Sequence, residues 1–233
     1  MTKLFQKLVG HNINKFDLPY LIRSSIYNKV VVPDFLLPFG GKFRSFDSYA
    51  LDTMHLVGAG EWGYMIKLET VARALGYKGR KPNKGQNFYR LPRKEQEEYL
   101  TEDLNMTKHV WKRLAISYGY DYDVTIFDIE TKPLEDNKLE WIAPEFDPDS
   151  VAVANLKDPA KVEAKIQAAE INHIQSIRNK AGLHAHYSDP CAIGYIKDGE
   201  TILDFGEPKE LLEHFWEITA GIWADNKKIE VNY

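Results

Sequence analysis

An apolar run that ends in two acidic residues constrains this chain more than any other stretch. Residues 124–131 read V-T-I-F-D-I-E-T, and short runs of β-branched and aromatic residues are typical of buried strands. Asp128 and Glu130 are two positions apart, so in a strand both carboxylates point to the same face. Like charges held together on a buried element repel each other, and a divalent cation can neutralise them. The pattern therefore predicts a metal site; the alternative is a strand that ends in an acidic turn before Lys132 and Pro133.

Composition limits the class of protein. The 233 residues are enough for one domain, or for one domain with a large insertion, and the 44% apolar content can fill a core. The net charge of −4 argues against a globally basic nucleic-acid binder, although it allows a local basic groove. Cys191 is the single cysteine, which predicts a reducing compartment. The apolar stretches are too short for a signal peptide or a membrane span, so we expect a cytoplasmic protein without membrane contact.

Hydrophobic periodicity predicts an α/β fold. The predicted strands are 4–9, 48–56, 124–131, 191–196 and 201–205, with a D-G hairpin turn between the last two. The predicted helices are 17–26, 66–75, 94–116, 159–180 and 208–223. Residues 132–158 are rich in Pro, Asp and Asn and are predicted to form a long loop, and residues 229–233 are predicted to be extended.

Further acidic residues lie at the start of one predicted helix and within another. Asp17 begins the helix 17–26, where an acid can also serve only to cap free N–H groups. Tyr99 and Asp103 are four residues apart on the helix 94–116, so they share a face with its apolar stripe. The plainer interpretation is that Asp103 lies at the edge of that stripe and meets Lys108 or solvent.

Residues 77–90 form a basic, glycine-rich segment with three aromatic side chains. This composition suits contact with phosphates and stacking on bases, and Lys84 and Arg90 are its candidate substrate contacts. A solvated connection is the simpler alternative. His184, His186 and Cys191 match no strong zinc spacing, and we interpret them as structural.

Three motifs together resemble the DEDD 3′–5′ exonucleases of the tyrosine (DEDDy, DnaQ-like) type. F-D-I-E-T resembles the first motif, and L-V-G-H-N-I-N-K-F-D-L-P-Y-L at 8–21 resembles the second, with Asn12 and Asp17 at its N-x-x-x-x-D spacing. Y-L-T-E-D, from Tyr99 to Asp103, resembles the third. The resemblance is greatest to predicted exonucleases related to the proofreading domain of family B DNA polymerases, and L-E-T-V-A-R-A-L-G and L-L-E-H-F-W also resemble family segments.

The order of the motifs departs from the family pattern. In the family the D-x-E strand comes first, whereas here the second and third motifs precede it. This order implies a circular permutation of a single exonuclease domain: residues 1–116 carry the second and third motifs, 117–123 form a joint, and 124–233 carry the first motif. Seven joint residues span at most about 25 Å, so the family's two ends must lie close together. Otherwise a second chain would complete the site by segment swapping.

The resemblance implies a ribonuclease H-like fold with a mixed five-stranded sheet and two-metal hydrolysis of phosphodiester bonds. Two Mg²⁺ or Mn²⁺ ions about 3.5–4 Å apart stabilise the attacking and leaving oxygens in such enzymes. Asp128 would bridge the ions, Glu130 and Asp103 would hold the first, and Asp17 would hold the second directly or through water. Tyr99 would orient the attacking water rather than remove its proton, since an unshifted tyrosine has a pKa near 10.

The implied substrate is the 3′ end of single-stranded nucleic acid, with DNA favoured over RNA and with Asn12 and Phe16 contacting the terminal nucleotide. A proofreading role would require a separate DNA polymerase. One alternative is an RNA exonuclease, because the motifs do not select the sugar. Others are a catalytically silent nucleic-acid-binding or polymerase-associated module of the same fold, or an α/β domain without activity.

Overall fold

The structure is a computed structural model, and it describes residues 6–33, 50–59, 61, 64–80, 88–120, 123–153 and 158–230. The strands are β1 (Gln6–Gly10), β2 (Ala50–Asp52), β3 (Asp123–Pro133), β4 (Ser188–Lys197) and β5 (Glu200–Phe205). The α-helices are α1 (Asp17–Asn28), α2 (Thr53–Val57), α3 (Leu68–Ala74), α4 (Arg93–Tyr118), α5 (Asp136–Ile142), α6 (Pro159–Ile171), α7 (His173–Lys180) and α8 (Pro208–Glu230). Short 3₁₀ helices occupy Phe88–Arg90, Pro148–Ser150 and Ala181–Leu183.

The strands form one mixed sheet in the order β2-β1-β3-β4-β5. β1 pairs in parallel with both β2 and β3, whereas β4 and β5 form an antiparallel hairpin. The predicted α/β class with a mixed five-stranded sheet and flanking helices is therefore confirmed, and the arrangement is compatible with a ribonuclease H-like fold.

Helices cover both faces of the central strands. On one face Ile126 joins a buried cluster with Val9, Ile196 and two α4 residues, Leu104 and Trp111. On the other face the neighbouring Phe127 and Tyr195 rings lie 5.2 and 6.3 Å from the Phe215 ring of α8. Both faces of β3 are covered here, so the consecutive residues 125–127 are all buried rather than alternating between core and solvent.

Small residues of β4 face the N-terminal half of α4. Ala192 and Gly194 present almost no side chain on this face, and a Cβ atom built on Gly194 would lie 2.8 Å from Leu104 Cδ1 and 2.9 Å from Leu100 Cγ. Small residues on the strand therefore determine how near the helix can lie, as close packing in protein interiors requires.

Four predicted boundaries are wrong or incomplete. The segment 48–56 was expected to be one strand, but β2 ends at Asp52, whose carboxylate accepts the Met54 N–H and caps α2. The predicted loop 132–158 contains α5 and a 3₁₀ turn, and the predicted helix 159–180 is interrupted at Asn172. Helix α8 extends to Glu230, through the first residues of the predicted extended tail.

The chain divides into two compact units, one made of residues 1–131 and 190–233 and the other of residues 132–189. The second unit holds α5, α6 and α7 and lies in the chain between β3 and β4. Within it, the Leu134 N–H donates to the Tyr187 carbonyl and Arg178 forms an ion pair with Asp136. Among the described residues no helix combines the length and apolarity that a bilayer crossing needs.

Replacing Gly194 by alanine should test the close approach of α4. The added Cβ would overlap the side chains of Leu100 and Leu104, and overpacking of this kind costs about 1–3 kcal/mol of unfolding free energy. Gly206→Ala is the matched control, because the nearest atom to a Cβ there is 3.6 Å away. Urea denaturation of both variants measures the difference, and equal stabilities would contradict the packing described here.

Candidate metal centre

Strand β3 points its two predicted metal ligands toward α4. Side chains alternate along a strand, so Asp128 and Glu130 share the face of Ile126, which packs against α4. Residues 125, 127 and 129 point to the opposite face. The acidic pair therefore extends the line of Ile126, beyond the last residues at which β1 pairs with β3.

Helix α4 contributes the third carboxylate. Asp103 lies one turn after Tyr99 on the inward face of α4, and each residue is more than nine-tenths buried. One carboxylate oxygen from each of Asp103, Asp128 and Glu130 lies within 4.8 Å of the other two. The structure thus brings together three of the four acids that the sequence singled out.

The chemistry of these three residues fits a hard divalent cation. Carboxylate oxygens are the ligands that Mg²⁺ and Mn²⁺ prefer, and three of them at this spacing can contribute to one coordination sphere. Without a cation, three negative charges this close would repel one another. No other group of three acidic, histidine or cysteine side chains meets the same spacing in the described part of the chain. The structural interpretation of His184, His186 and Cys191 stays a prediction.

Tyr99 lies against the three carboxylates. Its ring packs edge-on against the buried Phe88 ring, with 5.7 Å between ring centroids, and its hydroxyl forms a hydrogen bond with Asp103. Burial raises the pKa of the Tyr99 phenol far above its usual range, and the charges of Asp103, Glu130 and Asp128 raise it further. Before a cation binds, the hydroxyl is therefore neutral and acts as a hydrogen-bond donor.

Asp17, the fourth predicted acid, is buried at the first residue of α1 and does not belong to the group of three. Burial raises the pKa of its carboxyl from 3.8 to about 7; a hydrogen bond from its own backbone lowers the pKa, and the nearby Asp52 charge raises it. Gly10, the last residue of β1, lies beside β3, since a Cβ there would be 3.1 Å from the Phe127 carbonyl oxygen, so the loop that leads to α1 starts next to β3. Asp17 as a metal ligand stays a prediction.

Three of the four predicted substrate contacts belong to the described residues. Asn12 and Phe16 both lie in the loop before α1; Asn12 has a positive φ of 67°, and Phe16 is the residue that precedes α1. Arg90 is exposed, with its guanidinium 5.3 Å from the Tyr89 ring centroid. Lys84 lies outside the described residues. The substrate roles of all four stay predictions.

Sequence reasoning missed Asp52. This residue is 4% exposed, and its carboxylate accepts three backbone N–H bonds, two of them from the loop that precedes Asp17. The available signal was an acid directly after a short apolar strand, which is also the pattern of a helix N-cap.

In the comparisons with known proteins, no family model, no curated protein and no solved structure matches this chain.

The raised pKa of Asp17 predicts a pH-dependent effect of Asp17→Asn when metal is removed with a chelator. The folded protein holds the acidic proton more tightly than the unfolded chain does, so wild type loses stability as the pH rises from about 4 to about 7. The asparagine variant avoids this loss. Its advantage in unfolding free energy should be near zero at pH 4 and about 4 kcal/mol at pH 8, since one unit of pKa difference corresponds to about 1.4 kcal/mol.

Denaturant unfolding across this pH range measures the difference. Asp123→Asn is the control, since Asp123 is an exposed acid at the start of β3. A gap between Asp17→Asn and wild type that is constant with pH, or that favours wild type at pH 8, would contradict the burial of this carboxyl.

Proposed function

We propose that the protein is a metal-dependent 3′–5′ exonuclease that hydrolyses the phosphodiester bonds of single-stranded nucleic acid. The observation that carries the proposal is the meeting of the buried Tyr99 and Asp103 with the partly buried Asp128 and Glu130 in one group. Two motifs that are far apart in the chain, Y-x-x-x-D and D-x-E, supply these residues. If the acids were close together only by chance, we would not expect a buried tyrosine to be hydrogen-bonded to one of them.

We propose further that the fold is a circularly permuted ribonuclease H-like domain. Helix α4 ends at Tyr118 and β3 begins at Asp123, so the third-motif helix leads almost directly into the first-motif strand. At this joint Gly119 adopts a left-handed conformation, and the Tyr120 ring stacks on Trp111. The family order would be obtained by starting at β3 and following β4, β5 and α8 before β1.

The proposal needs no segment exchange for three of the acids. Asp103 lies on α4 and Asp128 and Glu130 lie on β3, and these elements belong to the same compact unit of one chain. A swapped homodimer would therefore be needed only if Asp17 were supplied by a second copy.

Asp128, Glu130 and Asp103 would hold the divalent cations, with Asp17 as the expected further ligand. When bound, two Mg²⁺ or Mn²⁺ ions stabilise the charge on the attacking and leaving oxygens of the phosphodiester. The protein's own contribution is to fix the acids on a strand and a helix that are packed together, so that they need little reorganisation during the reaction.

Tyr99 would orient the water that attacks the phosphorus. Its neutral hydroxyl can donate one hydrogen bond and accept another, which suits holding a nucleophile in line rather than removing its proton. Packing of Phe88 against the Tyr99 ring restricts the directions that the hydroxyl can take.

The preference for DNA or RNA depends on contacts to the 2′-OH of the substrate, so both DNA and RNA belong in the assay, with DNA favoured. If the protein proofreads, a separate polymerase would supply the mismatched 3′ end.

Replacing Asp128 by asparagine should abolish hydrolysis, because the amide removes the charge that both ions require. The measurement is stepwise shortening, with Mn²⁺ or Mg²⁺, of single-stranded DNA and RNA oligonucleotides that are labelled at the 5′ end. Asp123→Asn on the same strand should retain wild-type activity. If Asp128→Asn stays active, or if wild type shortens neither substrate, the proposed function is wrong.

Replacing Tyr99 by phenylalanine should lower kcat about 10- to 100-fold and leave Mn²⁺ affinity unchanged, because the hydroxyl positions water and is not a ligand. Tyr118→Phe is the matched control: Tyr118 is on the same helix, and its hydroxyl donates to the Leu56 carbonyl at 2.8 Å. Steady-state kinetics and Mn²⁺ titration separate the two effects. A large loss of Mn²⁺ affinity in Tyr99→Phe would refute the positioning role.

A further inference from the structure

Asp52 makes more hydrogen bonds than a helix cap requires. As the N-cap of α2, its Oδ1 accepts the Met54 N–H at 2.9 Å. The same oxygen also accepts the Asn12 N–H at 2.8 Å, and Oδ2 accepts the Asn14 N–H at 3.1 Å. The two additional donors lie about 40 residues earlier in the chain, in the loop that leads to Asp17.

The loop that Asp52 holds has a backbone that needs support. Asn12 has a φ of 67°, a left-handed conformation that costs free energy for any residue except glycine. The Asn12 carbonyl accepts hydrogen bonds from the N–H groups of Lys15 and Phe16, so the turn that begins at Asn12 leads directly to Asp17. The charged Asp52 carboxylate accepts the Asn12 and Asn14 N–H groups and therefore fixes the start of this turn.

A second contact ties the same loop to the same region. His11 Nε2 lies 2.7 Å from the Ile66 carbonyl oxygen, which can only accept, so Nε2 carries the proton. Nδ1 then accepts from the Thr53 hydroxyl at 2.9 Å. The loop is thus held by two consecutive residues, Asp52 and Thr53, and Asp52 is close enough to Asp17 to influence its charge.

We propose that Asp52 is a positioning residue that holds the loop 11–16, and through it Asp17, in the geometry that binds a divalent cation. The inference rests on the proposed function for the role of Asp17. Asp52 donates no ligand to the ion; it acts by accepting the backbone N–H groups of the loop. Residues that orient metal ligands in this way typically change metal affinity about 10- to 100-fold when they are replaced.

Asp52→Ser separates the cap from the loop contacts. A serine hydroxyl is a good N-cap and can still accept the Met54 N–H, but it replaces two carboxylate oxygens by one short acceptor. Asp158→Ser is the matched control, because Asp158 is also an N-cap aspartate and accepts the Ala160 N–H at 3.1 Å. Asp52→Asn keeps the size of the side chain and is the second variant if serine at this position unfolds the protein.

The first measurement uses metal-free protein. Amide hydrogen exchange of Asn12 and Asn14 should be faster in Asp52→Ser than in wild type or Asp158→Ser, while exchange in β3 and α4 stays the same. In the second measurement the protein is titrated with Mn²⁺ alone, and the heat of binding is recorded by calorimetry. Wild type should bind two ions, and Asp52→Ser should bind one of them about 10- to 100-fold more weakly while the other is unaffected.

The outcomes distinguish the inference from the proposed function. If wild type binds two ions and cleaves oligonucleotides but Asp52→Ser matches Asp158→Ser in both measurements, the inference is overturned and the proposed function stands. If wild type neither binds Mn²⁺ nor cleaves, the proposed function fails and the role of Asp52 in metal binding fails with it. If Asp52→Ser and Asp52→Asn both unfold, Asp52 serves the fold alone and the inference is also overturned.

Discussion

The packing of α4 on the central strands is the constraint on which the candidate site depends. Three carboxylates from a helix and a strand lie within 4.8 Å of one another, an arrangement that their mutual repulsion opposes. Leu100, Leu104 and Trp111 are buried along the same helix, and burial of each such side chain stabilises the fold by about 1.5–3 kcal/mol. Apolar packing is therefore strong enough to hold the acids together against this repulsion.

The two parts of the site are held by different interactions. The group of Asp103, Asp128 and Glu130 is fixed by side-chain packing between α4 and the sheet, and small residues of β4 set the distance. Asp17 follows a hydrogen-bonded loop, in which His11 bonds with Thr53 and the Asn12 N–H donates to Asp52. If the proposed two-ion site is correct, loss of one ion would not require loss of the other.

Periodicity predicted the elements that carry the site, because long periodic segments carry strong local signals. The strand 124–131 and the helix 94–116 both exist, and the spacing of their acids gave the correct faces. The prediction of one strand over 48–56 was wrong because an apolar run is typical of a strand and also of a short helix. The N-cap hydrogen bond of Asp52 ends the strand and begins α2. The helix within 132–158 was missed because its seven residues are mostly polar and turn-forming residues surround it.

The sequence by itself determined which residues could do the chemistry, since the i, i+2 spacing on a strand and the i, i+4 spacing on a helix fix the face of each side chain. It did not determine that those faces meet. That depended on Ala192 and Gly194 allowing α4 to lie close to β4 and on a joint short enough to lead α4 into β3. The role of Asp52 was also decided by tertiary structure, because its partners are backbone N–H groups about 40 residues away, and no local pattern records a bond between segments so far apart.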